Sequence, residues 1–296
     1  MNFKSGFVNI LGFPNVGKST LMNSLVGEKI SIITPKPQTT RQRIMGIVTG
    51  DDFQIVYSDT PGILDPKYIL HKTMMNYVDM ALADADIILF VAAVNDDYNL
   101  YKTYINKIIE NNTKLIFILN KIDLSNQEFV INKINELNKL FPSMEIIPVS
   151  ALKAFNTDKI IAILKDLLPL NPPYFPADEL SDKSQRFFTA ETIREKIFTC
   201  YQKEIPYNCE VIIESFKEED KITRISALIY VGKQSHKAIV IGKNGEALKK
   251  VATLARKDIE KILEKKVFLE VYVKVLPDWR NNAKQLKRFG YITDSI

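Results

Sequence analysis

Eight residues near the N-terminus constrain this chain more than any others. Gly12-Phe-Pro-Asn-Val-Gly17-Lys18-Ser19 fits the pattern G-x-x-x-x-G-K-[ST]. It stands after an apolar run, Phe7 to Leu11, and before a helical pattern, Lys18 to Val26. Strand, glycine loop and helix in that order form a cradle for phosphate oxygens. Glycines let backbone N–H groups turn inward, and the helix start adds positive dipole. The loop residues Gly12, Phe13, Pro14, Asn15, Val16 and Gly17, with Lys18, Ser19 and Thr20 on the helix, are therefore candidate nucleotide contacts. Lys18 supplies a cation to the terminal phosphates, and the Ser19 hydroxyl can ligate Mg²⁺.

The segments beyond this loop predict the fold around it. Apolar runs at 53–57, 87–94, 115–119 and 145–149 alternate with helical patterns at 71–83, 99–111, 125–140 and 156–168. Such alternation predicts an α/β domain, a mostly parallel six-stranded sheet with helices on both faces. The runs Ile44–Val48 and Phe53–Tyr57 meet at Gly50-Asp51-Asp52, a hairpin signal, so one strand should be antiparallel. Four prolines between Leu168 and Pro176 mark a boundary. The division predicted is a nucleotide-binding domain over 1–170, a linker over 171–185 and a second domain over 186–296.

Three further motifs fall at strand ends, the edge where ligands bind in such sheets. In Asp59-Thr60-Pro61-Gly62, followed by Ile63, the carboxylate can hold the hydration shell of Mg²⁺ and the Gly62 N–H can reach a γ-phosphate. In Asn120-Lys121-Ile-Asp123, one carboxylate can accept both the N1–H and the 2-amino group of guanine. Adenine offers no such donor pair, so Asp123 would select GTP over ATP. Ser150-Ala151 closes the set, with the Ala151 N–H able to donate to guanine O6.

The second half differs in charge. Residues 1–180 carry 17 Lys and Arg against 19 Asp and Glu, a net of −2; residues 181–296 carry 23 against 16, a net of +7; together they give the whole-chain +5. A basic half points to nucleic acid or an anionic membrane. Its pattern reads helix (186–202), strand (209–216), strand (222–231), short helix (235–240), glycine turn, long helix (245–264), strand (267–275), with a partly helical basic tail from Pro277. The turn, Gly242-Lys243-Asn244-Gly245, is the G-x-x-G that clamps single-stranded RNA in KH domains. The element order resembles the prokaryotic type II KH fold, an α+β domain. Lys237, Lys243, Lys249 and Lys250, with Gly242, Asn244 and Gly245, are the candidate RNA contacts.

Taken together, these motifs resemble GTPases related to translation factors. Pro37-Gln-Thr-Thr-Arg-Gln-Arg43 is similar to the first switch of the bacterial Era family, as are Ser184-Gln-Arg-Phe187, Glu191 to Ile197, Tyr272 to Val275 and Asp278-Trp279-Arg280 to other parts of those proteins. The resemblance implies a slow GTPase that cycles between GTP and GDP. Lys18, Thr40 and Gly62 would serve catalysis, and Ser19, Thr40 and Asp59 would hold Mg²⁺, with Thr39 the alternative to Thr40. Ile63 stands where Ras-like enzymes keep a water-orienting glutamine, so hydrolysis must proceed without one. Asn15 matches a position that such GTPases use for K⁺; a turn-stabilising side chain is the other reading. The resemblance further implies binding near the 3′ end of 16S ribosomal RNA, a role in maturing the 30S subunit, a cytoplasmic monomer, and peripheral association with the inner face of the cell membrane.

The competing function is a membrane-associated regulator whose basic half binds anionic lipid. Such a helix should expose a broad apolar stripe beside its basic face. The longest unbroken apolar run, Ile87 to Val94, is too short to span a bilayer, and Met1 to Ile10 does not read as a secretory signal. Cys200 and Cys209 read as reduced thiols, and Trp279 as a packing residue. His236 is expected on the RNA-facing surface, and neither it nor His71 suggests a metal site.

Overall fold

The computed structural model describes residues 3–110, 113–142 and 144–291. They cluster into two compact units, Met1–Asp65 with Met74–Asp182, and Pro66–Thr73 with Lys183–Ile296.

The first unit is built on β1 (Lys4–Leu11), α1 (Lys18–Val26), β2 (Ile44–Thr49), β3 (Phe53–Asp59), α2 (Ile69–Ala83) from Met74 onward, β4 (Ile87–Ala93), α3 (Lys102–Glu110), β5 (Lys114–Asn120), α4 (Gln127–Leu140), β6 (Glu145–Pro148) and α5 (Thr157–Leu167). The sheet runs β2-β3-β1-β4-β5-β6. Only β2 pairs antiparallel to its neighbour, Ile44 opposite Asp59 through Thr49 opposite Gln54. The central strand β4 is buried at every position, which is why it reads as an unbroken apolar run. Val78, Ile105 and Leu137 of α2, α3 and α4 pack with Ile88, Phe90 and Phe117 in one core. Leu21 and Leu25 of α1 and Ile160 and Leu164 of α5 are buried as well. A Cβ at Gly46 of β2 would come within 2.7 Å of Met22 of α1, so glycine lets that helix lie close.

The helix expected over 99–111 begins differently. Residues Tyr98–Tyr101 form a 3₁₀ turn before α3, because the Asp97 carboxylate accepts from Asn99 N at 3.1 Å and caps a tighter turn. Position 111 lies outside the described residues.

The proline-rich segment does not run free across 171–185; its residues through Asp182 lie against the first unit. Gln54 Oε1 accepts from Tyr174 N at 2.7 Å and Phe175 N at 3.0 Å, and Gln54 Nε2 donates to Phe175 O at 2.8 Å. Farther on, Ile47 N donates to Leu180 O at 2.9 Å and Met45 N to Asp182 Oδ1 at 2.9 Å. The segment thus covers the exposed edge of β2, which would otherwise present unpaired backbone groups.

The second unit contains α6 (Gln185–Cys200), β7 (Cys209–Glu218), β8 (Ile222–Val231), α7 (Gln234–Ile241), α8 (Glu246–Ile262), β9 (Lys266–Val275) and α9 (Ala283–Arg288). Its sheet runs β7-β8-β9, antiparallel then parallel. Ile193 and Ile197 of α6 and Val251, Ala255 and Ile259 of α8 bury against Ile225, Ala227 and Ile229 of β8. Trp279 is fully buried and donates its Nε1–H to Asn208 O at 3.2 Å, a packing role. Both cysteines are free thiols.

Candidate functional site

The loop between β1 and α1 takes a shape only glycine permits at its two ends. Gly12 has φ 147°, and a Cβ there would meet Val91 O at 2.2 Å; Gly17 has φ 98°, and a Cβ would meet Asn120 Nδ2 at 2.3 Å. The second contact ties two motifs more than a hundred residues apart, since Asn120 Nδ2 also donates to Val16 O at 2.9 Å. Lys121 reaches over the loop and donates to Asn15 O. Phe13, Val16 and Ile63 turn their side chains away from the cleft. Phe13 packs on Tyr101 and Tyr104, Val16 is buried, and Ile63 joins the core of α2 and β4. None of these three side chains lines the cleft, which leaves only their backbone to face it.

Lys18 is 6% exposed and donates to Gly12 O at 3.0 Å and Phe13 O at 2.9 Å. Burial lowers its pKa to about 8, against the attraction of Asp59. Three oxygens gather beside it. Ser19 Oγ donates to Asp59 Oδ2 at 2.6 Å, Thr40 Oγ1 donates to the same oxygen at 3.2 Å, and the two hydroxyls lie 2.9 Å apart. Burial pushes the Asp59 carboxyl up, while the Ser19 hydrogen bond and the Lys18 charge pull it down. Among the described residues, Asp59 Oδ1 is buried without a hydrogen-bond partner. Thr39 is occupied elsewhere, pairing with Thr34 Oγ1 at 2.6 Å and donating to Lys36 O at 2.8 Å. Of the two threonines, Thr40 is the one brought to the carboxylate.

A cleft of about 390 Å³ opens in front of these groups, lined among others by Asn15, Lys18, Thr20, Thr40, Thr60 and Gly62. Gly62 abuts the phosphate loop, for a Cβ there would lie 2.7 Å from Pro14 N and 2.8 Å from Pro14 Cα. The next residue, Ile63, donates its N–H to Gly12 O at 3.1 Å. Thr60 Oγ1 donates to Ile10 O at 2.8 Å and anchors the Pro61 turn to β1. Residues 32–36 also line the cleft, although the sequence motif resembling a switch begins only at Pro37. The signal that could have found them is the pair Thr34-Pro35 in a loop joining a helix to a strand.

At the far end of the sheet edge, Asp123 is exposed and accepts from Ser150 Oγ at 2.6 Å. The Ala151 N–H, expected to face a base, donates to Asn120 Oδ1 at 3.0 Å. Asn120 therefore joins its own motif to the phosphate loop and to Ser150-Ala151, holding Val16 with its amide nitrogen and Ala151 with its oxygen.

In the second unit the G-x-x-G turn joins α7 to α8. Gly242 has φ 73° and Gly245 φ 77°; a Cβ at Gly242 would meet Ala247 Cβ at 2.6 Å, whereas Gly245 faces open space. Lys243, Asn244, Lys249 and Lys250 are exposed or half-buried at the surface, and Lys237 lines a groove with Ile241, Leu248, Tyr272 and Lys274. Tyr272 and Lys274 were not among the candidates, although the period-two exposure of β9 puts both on its open face. His236 corrects the sequence reading. It is 6% exposed, not on the RNA-facing surface, because it stands four residues before Val240 on the inner side of α7.

A phosphate loop, three converging side-chain oxygens and an exposed carboxylate on one sheet edge fit a P-loop GTPase domain, here followed by a KH domain. Comparison with known proteins agrees. Residues 7–121 match the family described as 50S ribosome-binding GTPase, and residues 204–280 match the KH domain. GTPase Era of Geotalea daltonii is 44% identical, covering 98% of both chains, and GTPase Era of Clostridium kluyveri is 43% identical, covering 97% of this chain and 99% of its own. The chain belongs to the GTPase Era family. Among solved structures, a variant of Aquifex aeolicus Era bound to GDP·AlF₄⁻ superposes with a TM-score of 0.94 at 38% identity, over 98% of this chain and 100% of that one. Era in complex with MgGDPNP and nucleotides 1506–1542 of 16S ribosomal RNA matches equally, with a TM-score of 0.94 at 38% identity over the same shares.

Proposed function

We propose that this protein is a GTP-hydrolysing switch that binds the 3′ end region of 16S ribosomal RNA and assists maturation of the 30S subunit in the cytoplasm. The observation that carries the nucleotide half is the convergence of Ser19, Thr40 and Asp59 beside Lys18. Three hard oxygen ligands with one buried carboxylate oxygen still unpaired suit Mg²⁺. When bound, Mg²⁺ supplies charge neutralisation across the β- and γ-phosphates. The chain's own residues do the rest. Lys18 gives up two loop carbonyls to meet phosphate, and the phosphate-loop amides cradle the β-phosphate. The Gly62 N–H reports the γ-phosphate, and Asp123 reads the guanine edge. Thr40 and Gly62 are contributed by separate segments that both line the cleft, so both can respond to whether a γ-phosphate is present.

For the second half, RNA is favoured over lipid by how α8 is used. Val251, Ala255 and Ile259 of α8 are buried in the core, and its exposed large apolar side chains are Leu254 and Ile262, short of the broad apolar stripe that a membrane-bound helix needs. No helix among the described residues is long and apolar enough to cross a membrane.

The test of guanine recognition is Asp123→Asn. The amide can donate to the 2-oxo group of xanthine, so affinity for GTP should fall and affinity for xanthosine triphosphate rise, each by about tenfold or more. Displacement of a fluorescent nucleotide measures both. An unchanged preference for GTP would remove Asp123 from the base site.

A further inference from the structure

Arg43 closes the Pro37–Arg43 motif and does not line the cleft, yet it is 6% exposed and carries a permanent charge. Its guanidinium is shared among three other segments. Nε donates to Ser58 Oγ at 3.0 Å, and Nη2 donates to the same oxygen at 2.8 Å and to Asn9 Oδ1 at 3.2 Å. Nη1 and Nη2 grip the Asp84 carboxylate, at 2.5 Å to Oδ2 and 3.0 Å to Oδ1. Asn9 closes the network, donating from Nδ2 to Asp84 Oδ1 at 2.8 Å and to Ala81 O at 2.5 Å. A buried ion pair stabilises a fold little more than well-packed apolar side chains of the same volume, so what this one adds is a fixed geometry.

The sheet register shows what is being fixed. Asn9 stands opposite Ser58 and Ser58 opposite Met45, a row across β1, β3 and β2. Arg43, two positions before Met45, reaches along that row to Asp84, the residue after α2. Thr40 lies three residues before Arg43, and its Oγ1 meets Asp59 Oδ2 at 3.2 Å and Ser19 Oγ at 2.9 Å. The short stretch from Thr40 to Arg43 is thus held at both ends against neighbouring residues of β3, Asp59 and Ser58. Three residues span at most about 11 Å, so the place of Arg43 limits where Thr40 can sit.

We propose that Arg43 is a positioning residue for Thr40: its buried fork, locked by Asp84, Asn9 and Ser58, fixes the end of the segment that brings the Thr40 hydroxyl to Asp59 and Ser19. Arg43 acts only through Thr40. The inference rests on the reading of Thr40 as a group that serves Mg²⁺ and the γ-phosphate.

The experiment measures affinity of the full-length protein for a fluorescent, non-hydrolysable GTP analogue and for fluorescent GDP, both in saturating Mg²⁺. Thr40→Ala should weaken the analogue and spare GDP, which has no γ-phosphate. In Arg43→Lys a single ammonium cannot span Ser58, Asn9 and Asp84 together, so the analogue should bind about tenfold more weakly, with GDP within about threefold of the parent. The double variant should bind the analogue within about twofold of Thr40→Ala alone, because the anchor matters only through the group it places. Asp84→Asn, at an exposed carboxylate, should weaken the analogue about threefold and decides the question if Arg43→Lys does not fold. Equal losses of analogue and GDP in Arg43→Lys, as a purely structural role gives, would overturn the assignment. So would an analogue affinity that neither Arg43→Lys nor Asp84→Asn changes, or full additivity with Thr40→Ala. If Thr40→Ala itself leaves the analogue untouched, the reading of Thr40 falls, and the inference with it.

Discussion

Replacing Gly62 with alanine probes the contact between the Asp59-Thr60-Pro61-Gly62 turn and the phosphate loop. The added Cβ would lie 2.7 Å from Pro14 N and 2.8 Å from Pro14 Cα and Cγ. Carbon contacts are comfortable at about 3.5–4.0 Å, so the overlap is about 1 Å. Pro14 cannot yield, being backbone and ring, so the turn must retreat by about that distance. The retreat stretches the 3.1 Å bond from Ile63 N to Gly12 O, and it would withdraw the Gly62 N–H from the position proposed for the γ-phosphate. A displacement of about 1 Å at a positioning group costs roughly 10² in rate, or about 2.7 kcal/mol of barrier. GDP has no γ-phosphate, so its affinity should stay within about threefold. Single-turnover hydrolysis and GDP displacement measure the two arms. Hydrolysis within about threefold of the parent, or an equal loss of GDP affinity, would refute the claim that Gly62 is matched to Pro14 in order to serve the γ-phosphate.

Two other outcomes rest on named contacts. Asn15 has φ 65° and donates to Pro35 O at 3.3 Å, which fits a turn-holding side chain; if its oxygen also holds K⁺, single-turnover hydrolysis is faster in KCl than in NaCl at equal ionic strength, and equal rates remove the K⁺ role. The Asp258 carboxylate accepts from Lys196 at 2.5 Å and from Lys261 at 3.4 Å, which holds its pKa below the ordinary 3.8. A lowered carboxylate pKa adds stability above the unfolded value and loses it as pH falls through the folded one. Asp258→Asn should therefore cost about 0.5–1 kcal/mol in urea denaturation equally at pH 7 and pH 5, since the pair is partly exposed; a deficit that vanished by pH 5 would contradict the assignment.

Much of the first unit was legible because its strands and motifs obey local rules. Gly50-Asp51-Asp52 announces the hairpin of β2 and β3, and Asp59, Asn120 and Ser150 each close an apolar run at a sheet edge. Placing Thr40 rather than Thr39 at the carboxylate required the Thr34–Thr39 hydroxyl pair, which no spacing rule encodes. The cover on β2 was illegible for the same reason. It depends on Gln54, a polar residue within a strand, binding backbone about 120 positions later. In the second unit the G-x-x-G turn was plain, but the side of α7 that faces inward was not, because a short helix with His236 and Val240 on one face could bury either side.

Binding of unpaired RNA by the KH unit of a chain that also carries a guanine-nucleotide site is the property on which the proposed function turns. Its most direct test titrates labelled single-stranded RNA of the 16S 3′-end sequence, a matched duplex and anionic vesicles against the parent protein and Gly245→Asp. That substitution enters open space at φ 77°, a conformation aspartate tolerates better than most residues, so the fold and GTP hydrolysis should survive while a carboxylate is set in the path of the phosphates. Preference for the single strand over duplex and vesicles, affinity that falls with rising salt, and a loss of about tenfold or more in the variant are expected. Equal binding to single strand and duplex, or tighter binding to vesicles that Gly245→Asp leaves unchanged, would contradict that expectation.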